Sequence, residues 1–253
     1  MIKGRVIKYK NKFIIVPVAV CLAVGLAGCA DRDSYMSNLQ KIEDTITGEK
    51  TGMNMEGKSY AEIAEVLKEF GISGISDETI KELEESYAQL PPDVMFSKTA
   101  TLLSFAGRGD MNYDTMEWTP SKNGVYSFDV EVFRNDTMYA DFLLGISAIG
   151  GDELVFQNIK EDTSEVNWRE GTGKRSVSFE WNGNTYVLEA EMMHDWFDLE
   201  VADALNQIII SNGNGKKLYF ASDGYQECIV FYCDEDWAKE FEDKTGLDLS
   251  DSI

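Results

Sequence analysis

Four cysteines and one histidine are the groups in this chain best suited to nucleophilic, redox or soft-metal chemistry. Their positions restrict that chemistry sharply. Cys21 lies inside an apolar run and Cys29 just beyond it, while Cys228 and Cys233 bracket Ile229-Val230-Phe231-Tyr232, which reads as a strand. An odd separation along a strand puts two side chains on opposite faces, here about 16 Å apart at ~3.3 Å per residue. That is too far for a disulfide or a shared zinc ion, so both thiols are expected to be buried and unpaired. His194, in Met193-His194-Asp195-Trp196, has no second histidine and no nearby cysteine. A zinc site or a nucleophile–histidine pair therefore has nothing to build on, and His194 reads as a structural or surface residue. No nucleophile elbow, phosphate loop, paired-histidine zinc motif or dinucleotide fingerprint occurs. The expectation is a chain without catalytic residues, metal ligands or cofactor.

Oxygen chemistry is the remaining possibility. Two carboxylates at the right separation suffice for glycoside hydrolysis. With 45 acidic residues in the chain, however, no particular pair stands out. Asp110-Met111-Asn112-Tyr113-Asp114 offers oxygens at alternate positions, as the first half of a calcium loop does. Thr115 stands where the sharp turn wants glycine and Ser121 where the closing glutamate belongs, so an Asx-rich turn is the better reading. Trp168, in Asn167-Trp168-Arg169-Glu170-Gly171, is the candidate ligand contact: an aromatic beside polar groups that either stacks on a partner or folds back over a sheet.

The N-terminal segment has a different character. Residues 1–28 carry Lys3, Arg5, Lys8, Lys10 and Lys12 and no acid, so the rest of the chain bears a formal charge of −27 against −22 for the whole. Phe13 to Ala27 is apolar apart from Pro17 and Gly25. A basic stretch followed by a short apolar helix is the layout of an export signal, and about 15 residues falls short of the ~20 that span a bilayer. The run ends in Leu26-Ala27-Gly28-Cys29, which resembles the lipobox of bacterial lipoproteins. That resemblance implies a diacylglyceryl thioether on Cys29, acyl chains of the palmitate type, and cleavage between Gly28 and Cys29. Two acyl chains, at about 0.8 kcal/mol per buried methylene, hold a protein stably at a membrane.

The mature chain then falls into parts. Residues 29–58 read as the lipidated cysteine and a polar tether with Gly48, Gly52 and Gly57, within which Tyr35, Leu39, Ile42 and Ile46 allow a short helix. Residues 59–121 read as a small helical section. Its first helix starts at the Ser59/Glu62 capping box and stops at Gly71; a second runs from Ser76 to Leu90 before Pro91-Pro92; a third covers Lys98 to Ala106. Residues 122–253 read as the main domain. Tyr126, Phe128, Val130 and Val132 alternate with polar residues as a strand, and Asn135 or Asp136 caps a helix that Gly150-Gly151 ends. Leu154 to Ile159 forms a strand, and Asn182-Gly183 is a two-residue hairpin turn setting Phe179 opposite Tyr186 and Val177 opposite Leu188. A helix from Phe197 to Ser211, capped near Asp195 or Asp198, precedes a strand pair, Leu218 to Ala221 and Glu227 to Cys233. The latter is apolar on both faces, hence central; Asp234 then caps a last helix in which Trp237 and Phe241 stack. The fold class is α+β: a mixed or antiparallel sheet of about six strands with three packed helices, preceded by the helical section.

Beyond the lipobox, Val125-Tyr-Ser-Phe-Asp-Val-Glu-Val132 and Asp223-Gly-Tyr-Gln-Glu-Cys-Ile-Val-Phe-Tyr232 resemble uncharacterised lipoproteins of Gram-positive anaerobes. That resemblance implies a shared domain and no particular activity. The expected role is a non-catalytic binding or interaction protein, held by lipid on the extracytoplasmic face of the cell membrane, with a protein or cell-wall partner. A charge of this sign repels nucleic acid. Two other classes fit the composition: a carboxylate-dependent hydrolase of envelope polymers, and an acidic immunity-type protein that neutralises a basic toxin. Replacing Cys29 with serine is expected to abolish lipid labelling and to accumulate uncut precursor, read by metabolic labelling and mass; normal labelling would refute the anchor.

Overall fold

The computed structural model describes residue 55 and residues 57–89, 97–131 and 136–252. The export segment, Cys29, the possible helix near Tyr35 to Ile46, Pro91-Pro92, Val132 and Asn135 lie outside the described residues. Six α-helices and eight strands are present among those described. They are α1 (Tyr60–Glu69), α2 (Asp77–Tyr87), α3 (Lys98–Gly107), β1 (Asp110–Asn112), β2 (Glu117–Thr119), β3 (Tyr126–Asp129), α4 (Met138–Gly150), β4 (Gln157–Asn167), β5 (Thr172–Trp181), β6 (Asn184–Glu191), α5 (Glu200–Asn212), β7 (Lys217–Ser222), β8 (Glu227–Cys233) and α6 (Glu235–Thr245).

Local signals act where the chain places them. At the start of α1 the Ser59 hydroxyl accepts from Glu62 N while the Glu62 carboxylate accepts from Ser59 N, a reciprocal capping box. The same helix ends in a Schellman turn: Gly71, at φ +80°, donates to Lys68 O and Ile72 N donates to Leu67 O. Asp234 caps α6 by accepting from Trp237 N at 2.8 Å, and Trp237 stacks on Phe241 at 4.9 Å between ring centres. The β5–β6 hairpin turns on Asn182 and Gly183, both at positive φ, with Phe179 opposite Tyr186 and Val177 opposite Leu188.

The domain is α+β, as expected, and every strand pair is antiparallel. Its six strands do not make one sheet, however. They divide into two three-stranded sheets, β3-β8-β7 and β4-β5-β6, with β1-β2 a separate hairpin. The central strand β8 is buried on both faces. Cys228 and Val230 point into one core with α4, α5 and the inner face of β5 and β6. Ile229, Phe231 and Cys233 point into a second core with α1, α3 and α6, which Met55 also joins. The helical section is thus the cover of one sheet face. The thiols of Cys228 and Cys233 end in different cores, both free, as their odd spacing requires.

Strand β4 runs well past the expected Leu154–Ile159 segment, through the polar stretch Lys160–Asn167. It is an edge strand, interrupted by two register shifts against β5, so few of its side chains face the core and no apolar alternation announces it. One that does face inward is charged. The Glu161 carboxylate pairs with the Arg175 guanidinium of β5, and the two side chains are 3% and 1% exposed. Glu161 also accepts from Tyr139 N and Ala140 N, both at 2.9 Å, and so caps α4 from outside the helix. The N-cap residue, Thr137, makes no side-chain capping bond, which corrects the assignment of that role to Asn135 or Asp136. Helix α5 likewise begins later than Phe197; Asp198 accepts from Glu200 N, but Leu199 occupies the cap position.

Removing one member of a buried ion pair leaves the other desolvated and uncompensated. Arg175→Met is therefore expected to destabilise the fold by about 3–5 kcal/mol, read from urea unfolding midpoints. Arg175→Met combined with Glu161→Gln should recover most of that loss, because the amide oxygen still accepts from Tyr139 and Ala140.

Candidate functional site

Three places gather groups capable of chemistry. The first surrounds Trp168, the aromatic singled out from the sequence. It is half-buried, and its ring lies 5.6 Å from the Arg175 guanidinium carbon. The Tyr139 ring lies 5.1 Å from that carbon. Trp168 thus lies beside a buried cation of the sheet, with part of its ring still open to solvent. Burial raises the Glu161 carboxyl above its ordinary range, while two backbone N–H groups and the guanidinium limit the rise. The Tyr139 hydroxyl accepts from Asp198 N, so this cluster ties α4 to the start of α5 and serves as structure.

The second place is the turn end of the β3-β8-β7 sheet. Asp129 and Glu227 are direct cross-strand neighbours, and Asp223 lies in the β7–β8 turn beside them. Loss of water pushes all three carboxyls above their ordinary values, and repulsion from neighbouring carboxylates adds to it at Asp129 and Glu227. Each is nonetheless held. Asp129 accepts from Glu131 N, Asp223 from Tyr225 N and Glu227 N, and Glu227 from the Ser127 hydroxyl, with Arg108 the nearby cation.

The third place is a groove of about 310 Å³ between the turn after α4 and the β5–β6 hairpin. Asp152, Glu153, Val155 and Gln157 line it from one segment, and Glu180, Trp181, Asn182 and Gly183 from the other. Trp181 is its fixed floor, 7% exposed, with its indole N–H donating to Glu153 O at 3.1 Å and Phe156 set edge-on to it. Val155, 46% exposed, adds apolar surface at the rim. Lys216 pairs with Glu153 at 2.7 Å and, with Tyr232 and Asn214, holds that carboxyl below its ordinary value. The groove is thus lined by three carboxylates and two amides over an aromatic base. Such a lining suits a small cationic group carried on an apolar stem.

The remaining candidates are placed plainly. His194 is exposed, at φ +58°, with its backbone N–H donating to Gly171 O. Asp110–Asp114 is half of the β1–β2 hairpin, where the Asn112 side chain accepts from Asp114 N and Thr115 N as an Asx turn. Burial raises both thiols, Cys233 to about 12, so neither is a nucleophile at neutral pH. The groove escaped sequence reasoning because its walls lie about thirty residues apart. Arg175 did leave a trace: it shares strand parity with Val177, Phe179 and Trp181, which places a charge on an inward face. Compared with protein-family models, curated proteins and solved structures, the chain matches none.

The sheet-end carboxyls set a pH dependence. A carboxyl with a raised folded-state pKa binds protons in the folded chain that the unfolded chain has already lost. Stability therefore falls as pH rises through and just above the ordinary carboxylate range. Urea midpoints are expected to be higher near about pH 5 than about pH 8. Asp129→Asn with Glu227→Gln should flatten that difference; an unchanged slope would remove the cluster as its source.

Proposed function

We propose that the mature chain is a non-catalytic binding protein, held by lipid on Cys29 at the extracytoplasmic face of the cell membrane, that receives a cationic group in the groove over Trp181. The observation that carries this reading is the contrast between the groove and the other polar clusters. Around Arg175 and at the sheet end, the carboxylates are already taken up by backbone N–H groups, a hydroxyl or a guanidinium. In the groove, Asp152 and Glu180 make no salt bridge among the described residues; Glu180 accepts from the Asn158 side-chain amide at 2.9 Å, and the lining is open to solvent on one side. The excess of acid over base attracts cations toward the whole domain at long range, and the groove supplies a shaped endpoint. A lysine or arginine side chain, on an envelope protein or a cell-wall peptide, fits its size and charge.

The test uses acetyl-Gly-Arg-Gly-amide as probe and the indole N–H signal of Trp181 as reporter. Saturable displacement of that signal at millimolar probe is expected, with acetyl-Gly-Glu-Gly-amide giving none. Asp152→Asn with Glu180→Gln should weaken binding about tenfold, whereas the equally neutralising pair Glu189→Gln and Glu240→Gln should change it little. Equal weakening by both pairs would reduce the effect to general charge and dismiss the groove.

A further inference from the structure

The β1–β2 hairpin belongs to neither sheet. Its strands are three residues each, and a two-stranded ribbon of that length has little stability of its own. It is fastened at its base. Trp118 donates its indole N–H to Arg108 O at 2.8 Å, and its ring packs beside Tyr126. Gly109, at φ +73°, lets the ribbon close on itself: a Cβ there would lie 2.3 Å from Thr119 O. What this base holds out is apolar. Eight large hydrophobic side chains are exposed among the described residues, and three of them, Met111, Tyr113 and Met116, fall within these few positions. Tyr113 and Met116 are each 72% exposed, the highest values of the eight. Met116 also sits at φ +58°, a conformation that an ordinary side chain adopts only at some cost.

Interleaved with them are Asp110, Asp114 and Glu117, all exposed and none in a salt bridge among the described residues. Tyrosine and methionine are enriched at the centres of protein interfaces, where large or adaptable side chains fill a pocket. Carboxylates around them select a basic rim. We infer that this hairpin is a docking element for a second protein, whose surface offers an apolar pocket ringed by lysine and arginine.

The charge pattern decides among occupants. A second copy of this chain would bring like charge to like, and an anionic bilayer would repel three carboxylates in the inserting segment. A basic-rimmed protein pocket satisfies the apolar and the acidic residues together. The contact extends the binding-protein reading without depending on the groove.

The experiment places p-benzoylphenylalanine at Tyr113 in the full-length chain, expressed in the cells that make it, with Val187, another exposed apolar position, as the control site. Irradiation should give one discrete protein adduct from position 113 and not from 187, and the cross-linked peptide should be rich in lysine and arginine. Asp110→Asn, Asp114→Asn and Glu117→Gln together should cut the adduct yield about tenfold, as should salt at about 0.5 M. Thermal unfolding of the triple variant should match the parent, since all three side chains are exposed. An adduct to lipid, an adduct to a second copy, identical adducts from both positions, or a yield indifferent to neutralisation would each overturn the proposal. Asp152→Asn with Glu180→Gln should leave the adduct intact, so failure of the groove reading and failure of this one remain distinct.

Discussion

The ion pair between Glu161 and Arg175 is the contact on which the second half of the chain converges. It joins two strands of one sheet, supplies the missing cap of α4, and sits under the rings of Tyr139 and Trp168. Through the Tyr139 hydroxyl it reaches Asp198, whose carboxylate accepts from Glu191 N of β6 and Glu200 N of α5. Five elements therefore share one polar cluster inside an otherwise apolar core. An apolar replacement of the Glu161 side chain could fill the space but would leave the Tyr139 and Ala140 N–H groups without their acceptor.

The second constraint is the position of β8 between two cores. Alternate residues of one strand feed separate apolar clusters, so neither the helices α1, α3 and α6 nor the pair α4 and α5 can be peeled away without exposing it. Gly107 and Gly145 show how closely the layers approach. A Cβ at Gly107 would lie 2.7 Å from Ser127 N, and one at Gly145 would lie 2.4 Å from the Tyr126 ring. Helices can lie this near the short strand β3 only where a side chain is missing.

These constraints explain how function separates from scaffold. Residues with the most conspicuous chemistry, the two thiols, Trp168 and Arg175, are spent on packing and orientation. Solvent meets many carboxylates, fewer lysines and arginines, polar side chains and a small number of large apolar ones. The charge that the chain carries is strongly acidic, −22 in all.

Much of the fold was legible in the sequence. The capping box at Ser59, the Asp234 cap, the stop at Gly71, the register across Asn182-Gly183 and the opposite placement of Cys228 and Cys233 all depend on chemistry within about ten residues, where chain geometry leaves few alternatives. Strand β4 was not legible beyond Ile159, because an edge strand with polar side chains on both faces has no period to read. The division into two sheets and the groove over Trp181 were decided by tertiary structure alone, as was the use of Glu161 as a cap for a distant helix. Each depends on segments tens of residues apart choosing one another, and that choice is made by the packing of the whole apolar core rather than by any local preference.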